Sequence, residues 1–192
     1  MLASVCAAAV SGCSAGVESL SSAPAASESG SFPVCAEEGH AEDRVEYRSV
    51  GQLADSAASA VEATVTSKGA GAQSGEDTFM EYTMRTEQIL AGNDMPSAWQ
   101  LRTGYLHPSG CEVAFNGLGT LEVGDRAVLF VLPAGGAGPD TVWSSAGTQG
   151  RFEIDGEDIA DTRRRDALTK AVEQGSAAQL RADARNSSRG RK

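Results

Sequence analysis

The sequence predicts a mainly β fold: a small barrel of five to six strands, with a short flanking helix before it and a helix at the C-terminus. Three observations lead there. Segments in which apolar and polar residues alternate recur between Val61 and Ile154, separated by stretches rich in glycine and proline. One segment, Ala127 to Leu132, is apolar without a break, the pattern of a strand covered on both faces. Helical spacing of apolar residues is confined to the two flanks, after Ser49 and around Leu168.

Ser49-Val50-Gly51-Gln52 matches a capping box, with Ser49 capping a helix that carries Leu53, Ala54, Ala57 and Ala58. Its single large apolar residue makes it a flank of the core. Val61, Ala63 and Val65 then alternate with Glu62, Thr64 and Thr66 in a half-buried strand. Lys68 to Gly75 has no large apolar side chain and is expected to be a turn or mobile loop. Phe79 to Leu90 reads as a second strand, with Met80, Tyr82 and Met84 on one face, and Ala91-Gly92-Asn93-Asp94 ends it. Trp99, Leu101 and Thr103 form a third, His107 to Gly124 is loop-like, and Arg126 to Leu132 is the strongest strand. After a Pro133 to Asp140 loop come short strands at Thr141 to Trp143 and Arg151 to Ile154, the latter entering an Asp155-Gly156 turn. A helix is expected from near Thr162, stopped by Gly175, within a helical segment 161–185 that precedes a disordered basic tail 186–192.

The N-terminus carries a different message. Leu2 to Val10 are small and apolar and lead into Val10-Ser11-Gly12-Cys13. This resembles the lipobox of bacterial lipoproteins, which implies cleavage after residue 12 and a diacylglyceryl group on the Cys13 sulfur. No Lys or Arg precedes Cys13, so the expectation includes an upstream segment supplying a positive n-region. Residues 13–33 are rich in Ser and Ala and read as a flexible tether reaching about 25 Å. The folded domain is then expected over 34–160. Two acyl chains suffice for stable anchoring, which places the chain on the extracytoplasmic face of a cell membrane.

Of the four cysteines, Cys6 would leave with the signal segment and Cys13 would be lipidated. Cys35 and Cys111 remain as an even pair in an oxidising compartment and are expected to form a disulfide. Such a link contributes on the order of 4 kcal/mol by restricting the unfolded chain. Zinc held by Cys35, His40, His107 and Cys111 is the competing use of the same residues, although their spacing lacks a CxxC pair.

Sixteen Lys and Arg stand against 26 Asp and Glu, a net charge of −10. Nine of the basic residues fall between Arg163 and Lys192, leaving an acidic body that should repel nucleic acid. The basic segment is open to contact with anionic headgroups or wall polymers. No GxSxG nucleophile elbow, P-loop or dinucleotide fingerprint is present, and no cofactor is implied. Asp155, Glu157, Asp158 and Asp161 resemble a calcium loop in composition only. The second and third strands offer Tyr82, Trp99, Arg85 and Arg102, of which alternation assigns at least half to the core. Tyr82, Arg85 and Arg102 are the candidate binding residues.

Several features recur together in one family. A short helix precedes a first strand (Leu53 to Val65), and a long second strand ends in a small turn (Tyr82 to Gly92). Cys111 lies in a loop, and a Leu-x-x-Gly-Asp-x turn leads into the strongest strand (Leu121 to Leu132). Across Ser49 to Ile154 the chain resembles the netrin-like OB-fold domains, whose best-known members are tissue inhibitors of metalloproteinases. It also resembles a group of actinobacterial lipoproteins with a closing Gln-Gly-x-Phe segment, here Gln149, Gly150 and Phe152. The resemblance implies an OB-like barrel. It does not carry over metalloproteinase inhibition, because that family chelates zinc through a free N-terminal cysteine amine, whereas Cys13 would be lipidated and Cys35 is internal. The resulting expectation is an envelope lipoprotein acting as a non-enzymatic binding or accessory module, with a protein or cell-wall polymer as partner. The alternative is an envelope hydrolase using clustered carboxylates.

Overall fold

The computed structural model describes residues 32–36, 39, 45–74, 77–114, 118–135, 140–160 and 166–189. Cys13, the signal segment, the tether to Ser31, His40 and Arg163 to Arg165 lie outside the described residues. A helix α1 (Val50–Ser56) leads into strands β1 (Ser59–Ser74), β2 (Asp77–Gly92), β3 (Ala98–Leu106), β4 (Glu112–Val113) and β5 (Arg126–Gly135). Strands β6 (Val142–Ser145), β7 (Arg151–Asp155) and β8 (Asp158–Ile159) follow, and helices α2 (Ala167–Glu173) and α3 (Ala177–Arg189) finish the chain. The strands form one eight-stranded sheet in the order β1-β2-β3-β6-β5-β7-β8, with β4 added to β3. Because β5 also pairs with β1, the strands β1, β2, β3, β6 and β5 form an OB-like ring. Only the β3–β6 pairing is parallel among the ladders of that ring.

Strand β5 divides the apolar residues into two cores. Its Ala127, Leu129 and Val131 face the barrel interior with Val61, Met80, Tyr82, Met84, Trp99 and Leu101. Its Val128 and Phe130 face outward to a layer built from Leu53, Phe152, Leu168, Val172 and Leu180. Phe130 and Phe152 meet edge to face, with ring centroids 6.2 Å apart. The unbroken apolar run thus has a partner surface on each side, as its sequence predicts.

The capping box forms with one change of partner. Ser49 accepts from the Gln52 amide at 3.2 Å, while the Gln52 side chain accepts from Arg48 N at 2.9 Å instead of from Ser49 N. The closing motif also has a structural role. Gln149 receives the Tyr47 amide at 2.7 Å and donates to Tyr47 O and to Asp166, joining the segment before α1 to the cap of α2. At Gly150 a Cβ would lie 2.9 Å from Phe130 O, so the glycine lets this turn pass close to β5.

Several boundaries differ from expectation: β5 runs on to Gly135, into the expected Pro133 to Asp140 loop, and β4 lies inside the expected His107 to Gly124 loop. Residues Lys68 to Ser74 continue β1 instead of forming a loop, because the glycines let the backbone lie flat beside β2: a Cβ on Gly71 would sit 2.3 Å from the Glu81 side chain. The C-terminal helical segment is two helices. Asp166 caps the first through Thr169 N, and the second runs through Arg189, past the expected end at residue 185. Two of its basic residues bind this chain's own barrel. Arg181 forms paired bonds of 2.6 and 2.9 Å with Glu62, a buried carboxylate that also meets Arg126, and Arg185 donates to Gln88. Glu62 holds the Arg181 guanidinium above its ordinary pKa.

Gly92, where β2 leaves β1, has φ +87° and its Cβ position lies 2.2 Å from Ala58 O. Gly92→Ala therefore combines a left-handed backbone with a backbone overlap and should cost more than about 3 kcal/mol. Gly156→Ala, at φ +63° with open space around it, should cost only about 1 to 2 kcal/mol. Urea denaturation of both variants checks the difference.

Candidate functional site

Two arrangements of polar residues stand out, one sealed and one open. The sealed one plugs an end of the barrel. Val65 and Ser67 flank a bulge in β1, after which Lys68 turns inward, and its ammonium lies 2.7 Å from Glu122, 3.4 Å from Glu112 and 3.4 Å from Leu121 O. Tyr82 on β2 donates its hydroxyl to the other Glu112 oxygen, and Arg151 on β7 reaches Gly119 O and Glu153. The Lys68 and Glu112 side chains are each 2% exposed. Burial pushes the Glu112 carboxyl above the usual carboxylate range, against the opposing pull of Tyr82 and Lys68. Burial, followed by the neighbouring Glu112 charge, pushes the Tyr82 phenol far above its ordinary value. The space beside these groups is about 20 Å³, room for roughly one water. This cluster holds charge inside a barrel and has no place for a substrate.

The open arrangement lies on the outer face of β2 and β3. A bulge sets it up: Phe79 pairs with Tyr105 and Glu81 with Arg102, so two steps along β2 match three along β3. The extra residue brings Arg102 and Tyr105 to the same face, although they are three apart in sequence. Gly104 inside the bulge has φ +76°, which side chains with a Cβ rarely adopt. On that face Phe79 and Tyr105 pack with ring centroids 4.8 Å apart and planes tilted by 35°, and the Arg102 guanidinium lies 5.0 Å from the Phe79 ring centroid. Glu81 orients it by accepting from Arg102 Nη2 at 2.6 Å and Nε at 3.0 Å. Further along the strands, Thr83 receives bonds from Ser67 and Gln100. Val113, opposite Tyr105 in the β3–β4 ladder, lines an adjoining groove of about 430 Å³ with Cys35, Cys111, His107 and Ser109.

The expected site residues separate across these places. Cys35 and Cys111 form the disulfide, with Cα atoms 5.1 Å apart, which occupies both thiols that the zinc reading requires. Tyr82 is 1% exposed inside the barrel and cannot touch a surface ligand; its place on the Met80 and Met84 face puts it there. Arg85 is exposed on the outer face and engages Glu87, whose carboxyl it holds below the ordinary range. Arg102 stands on the aromatic pair. Sequence reading missed the roles of Phe79, Glu81 and Tyr105 because strict alternation puts Tyr105 on the opposite face from Arg102. The signal that could have found the bulge is Gly104 inside the strand.

Among the described residues, no group of three or more His, Cys, Asp and Glu side chains is placed to hold a metal. No described helix is long and apolar enough to cross a membrane. Compared with protein-family models, curated proteins and solved structures, the chain matches none.

Glu112 provides a pH test. A carboxyl with a raised folded-state pKa contributes most below the unfolded pKa, and that contribution is lost as pH rises through the raised value. Lys68→Met removes the cation that opposes this loss. It should destabilise the fold by about 3 kcal/mol near pH 7 and by less near pH 4. Adding Glu112→Gln to Lys68→Met should recover part of the loss near pH 7, measured by urea denaturation at both pH values.

Proposed function

We propose that the chain is an envelope lipoprotein, lipidated on Cys13 and tethered through residues 13–33 to the extracytoplasmic face of the membrane. Its folded domain acts as a non-enzymatic binding module for a polymer of the cell envelope. The observation that carries this reading is the half-exposed cluster of Phe79, Tyr105, Arg102 and Glu81, which continues into the open groove beside the disulfide. Adjacent aromatic rings next to a fixed charged pair offer apolar contact and directional hydrogen bonds to an extended chain without requiring a deep pocket. The helical layer packs against the outer face of β5 and the Leu90–Ala91 end of β2, away from Phe79 along that strand.

The hydrolase alternative needs two carboxylates facing one cleft. Glu112 faces room for roughly one water, and Glu81 is engaged by Arg102. Neither arrangement favours that chemistry.

Two measurements test the proposal. The intact mass of membrane-extracted protein, with and without reductant, should correspond to a chain beginning at Cys13 with a diacylglyceryl addition and one intramolecular disulfide. An unmodified soluble chain with free thiols would refute the anchor. Separately, the domain should co-sediment with insoluble cell-wall polymer, and Phe79→Ala or Arg102→Ala should weaken that binding by about five- to thirtyfold. Equal sedimentation of wild type and both variants would exclude this face as the binding surface.

A further inference from the structure

The disulfide is surrounded by chemistry that a purely structural crosslink does not require. Both cysteines are half-exposed and open onto the groove of about 430 Å³. The segment from His107 to Cys111 is a tight turn, closed by His107 N donating to Cys111 O and Gly110 N donating to His107 O, each at 2.8 Å. Inside this turn the Ser109 hydroxyl lies 3.3 Å from Cys111 Sγ and 2.8 Å from His107 Nδ1. The Ser109 amide donates to the same Nδ1 at 3.2 Å, which holds the imidazole against the turn with Nδ1 as acceptor. Among the described residues, Ser109 is the side chain within hydrogen-bond reach of a disulfide sulfur, and that sulfur belongs to Cys111.

We propose that Cys35–Cys111 is a thiol-exchange site in which an incoming thiolate attacks Cys35 Sγ and Cys111 departs as the thiolate. The attacking sulfur forms a new S–S bond to Cys35, the Cys35–Cys111 bond breaks, and its electron pair passes to Cys111 Sγ. The Ser109 hydroxyl then turns its proton from His107 Nδ1 towards the new thiolate. A second thiolate attacks the external sulfur of the mixed disulfide. This releases the oxidised external disulfide and leaves Cys35 and Cys111 reduced, with protons taken from solvent. The reductant is a thiol, either a small molecule or the dithiol of a protein.

The opening has a structural consequence. The segment before Cys35 lies along β4, with Cys35 N donating to Glu112 O at 2.9 Å and Glu112 N donating to Pro33 O at 2.8 Å. With the disulfide broken, hydrogen bonds hold that segment where a covalent link held it before.

The test is the rate of reduction of the folded, oxidised protein by 2-mercaptoethanol and by a reduced thioredoxin, followed by acid quenching and peptide mass mapping. The mixed disulfide with 2-mercaptoethanol should map to Cys35. Ser109→Ala should slow reduction by about three- to tenfold, the factor carried by one ordinary hydrogen bond. Ser109→Thr, which keeps the hydroxyl, should restore the rate. Hydrogen exchange at the Cys35 and Glu112 amides should accelerate after reduction while the rest of the barrel keeps its protection. Faster reaction with thioredoxin at equal thiolate concentration assigns the reductant to a protein dithiol; a faster reaction with 2-mercaptoethanol assigns it to a small thiol. An adduct on Cys111, an unchanged rate in Ser109→Ala, or a disulfide that resists both thiols until the protein is unfolded in urea would overturn the proposal.

Discussion

The antiparallel pairing of β1 with β5, from Ser59 opposite Val131 to Thr64 opposite Arg126, is the constraint on which the rest of the structure depends. It brings the first strand of the barrel against one that arrives after three others and closes the ring. Closure leaves β5 with one face inside the barrel and the other outside, and both faces are apolar. The outer face can be removed from water only by something laid over it, and α1, α2 and α3 supply that cover. The Arg181–Glu62 pair locks α3 onto β1 beside this seam. Burial against β5 therefore connects the first helix, the ring and the last helix in one cooperative unit.

A barrel made from strands of unequal length has ends to fill, and this chain fills one with charge. Lys68, Glu112 and Tyr82 come from three different strands and satisfy one another, and exposed Glu122 brings the cluster to the surface. A buried ion pair of this kind adds little net stability over apolar packing, but removing a single member strands the others in a low-dielectric space. The cluster thereby favours the arrangement in which β4 sits over the barrel end.

Much of the fold was legible because its signals are local. The capping residue Ser49, the alternation in Val61 to Val65, the Met80-Tyr82-Met84 face and the doubly apolar β5 each depend on a few adjacent side chains, and the structure uses each of them. What was not legible depends on partners distant in sequence. The glycine-rich end of β1 carries no strand signal of its own and is extended because it pairs with β2 from Lys68 opposite Tyr82 to Ser74 opposite Asp77. The buried role of Lys68 follows from a bulge and from a glutamate 44 residues away. The candidate face was half legible: Arg102 stood out as a cation on a strand, while Tyr105 joined it only through the bulge around Gly104.

The position of β4 relates the folded domain to the N-terminal segment. Pro33 and Cys35 hydrogen-bond to Glu112, and the next residue, Val113, lies opposite Tyr105. The chain therefore enters the domain beside the aromatic face, along β4 and next to the turn that holds Cys111. On the proposed reading, a pull on the tether would be transmitted first to the disulfide and β4, and only then to the barrel. On that reading the oxidised crosslink bears the load covalently, and reduction passes it to the hydrogen bonds between Pro33, Cys35 and Glu112. A binding module held on a leash, as proposed, needs such a fixed entry point, and the 76-residue separation of the two cysteines means that one bond joins this entry to the turn between β3 and β4.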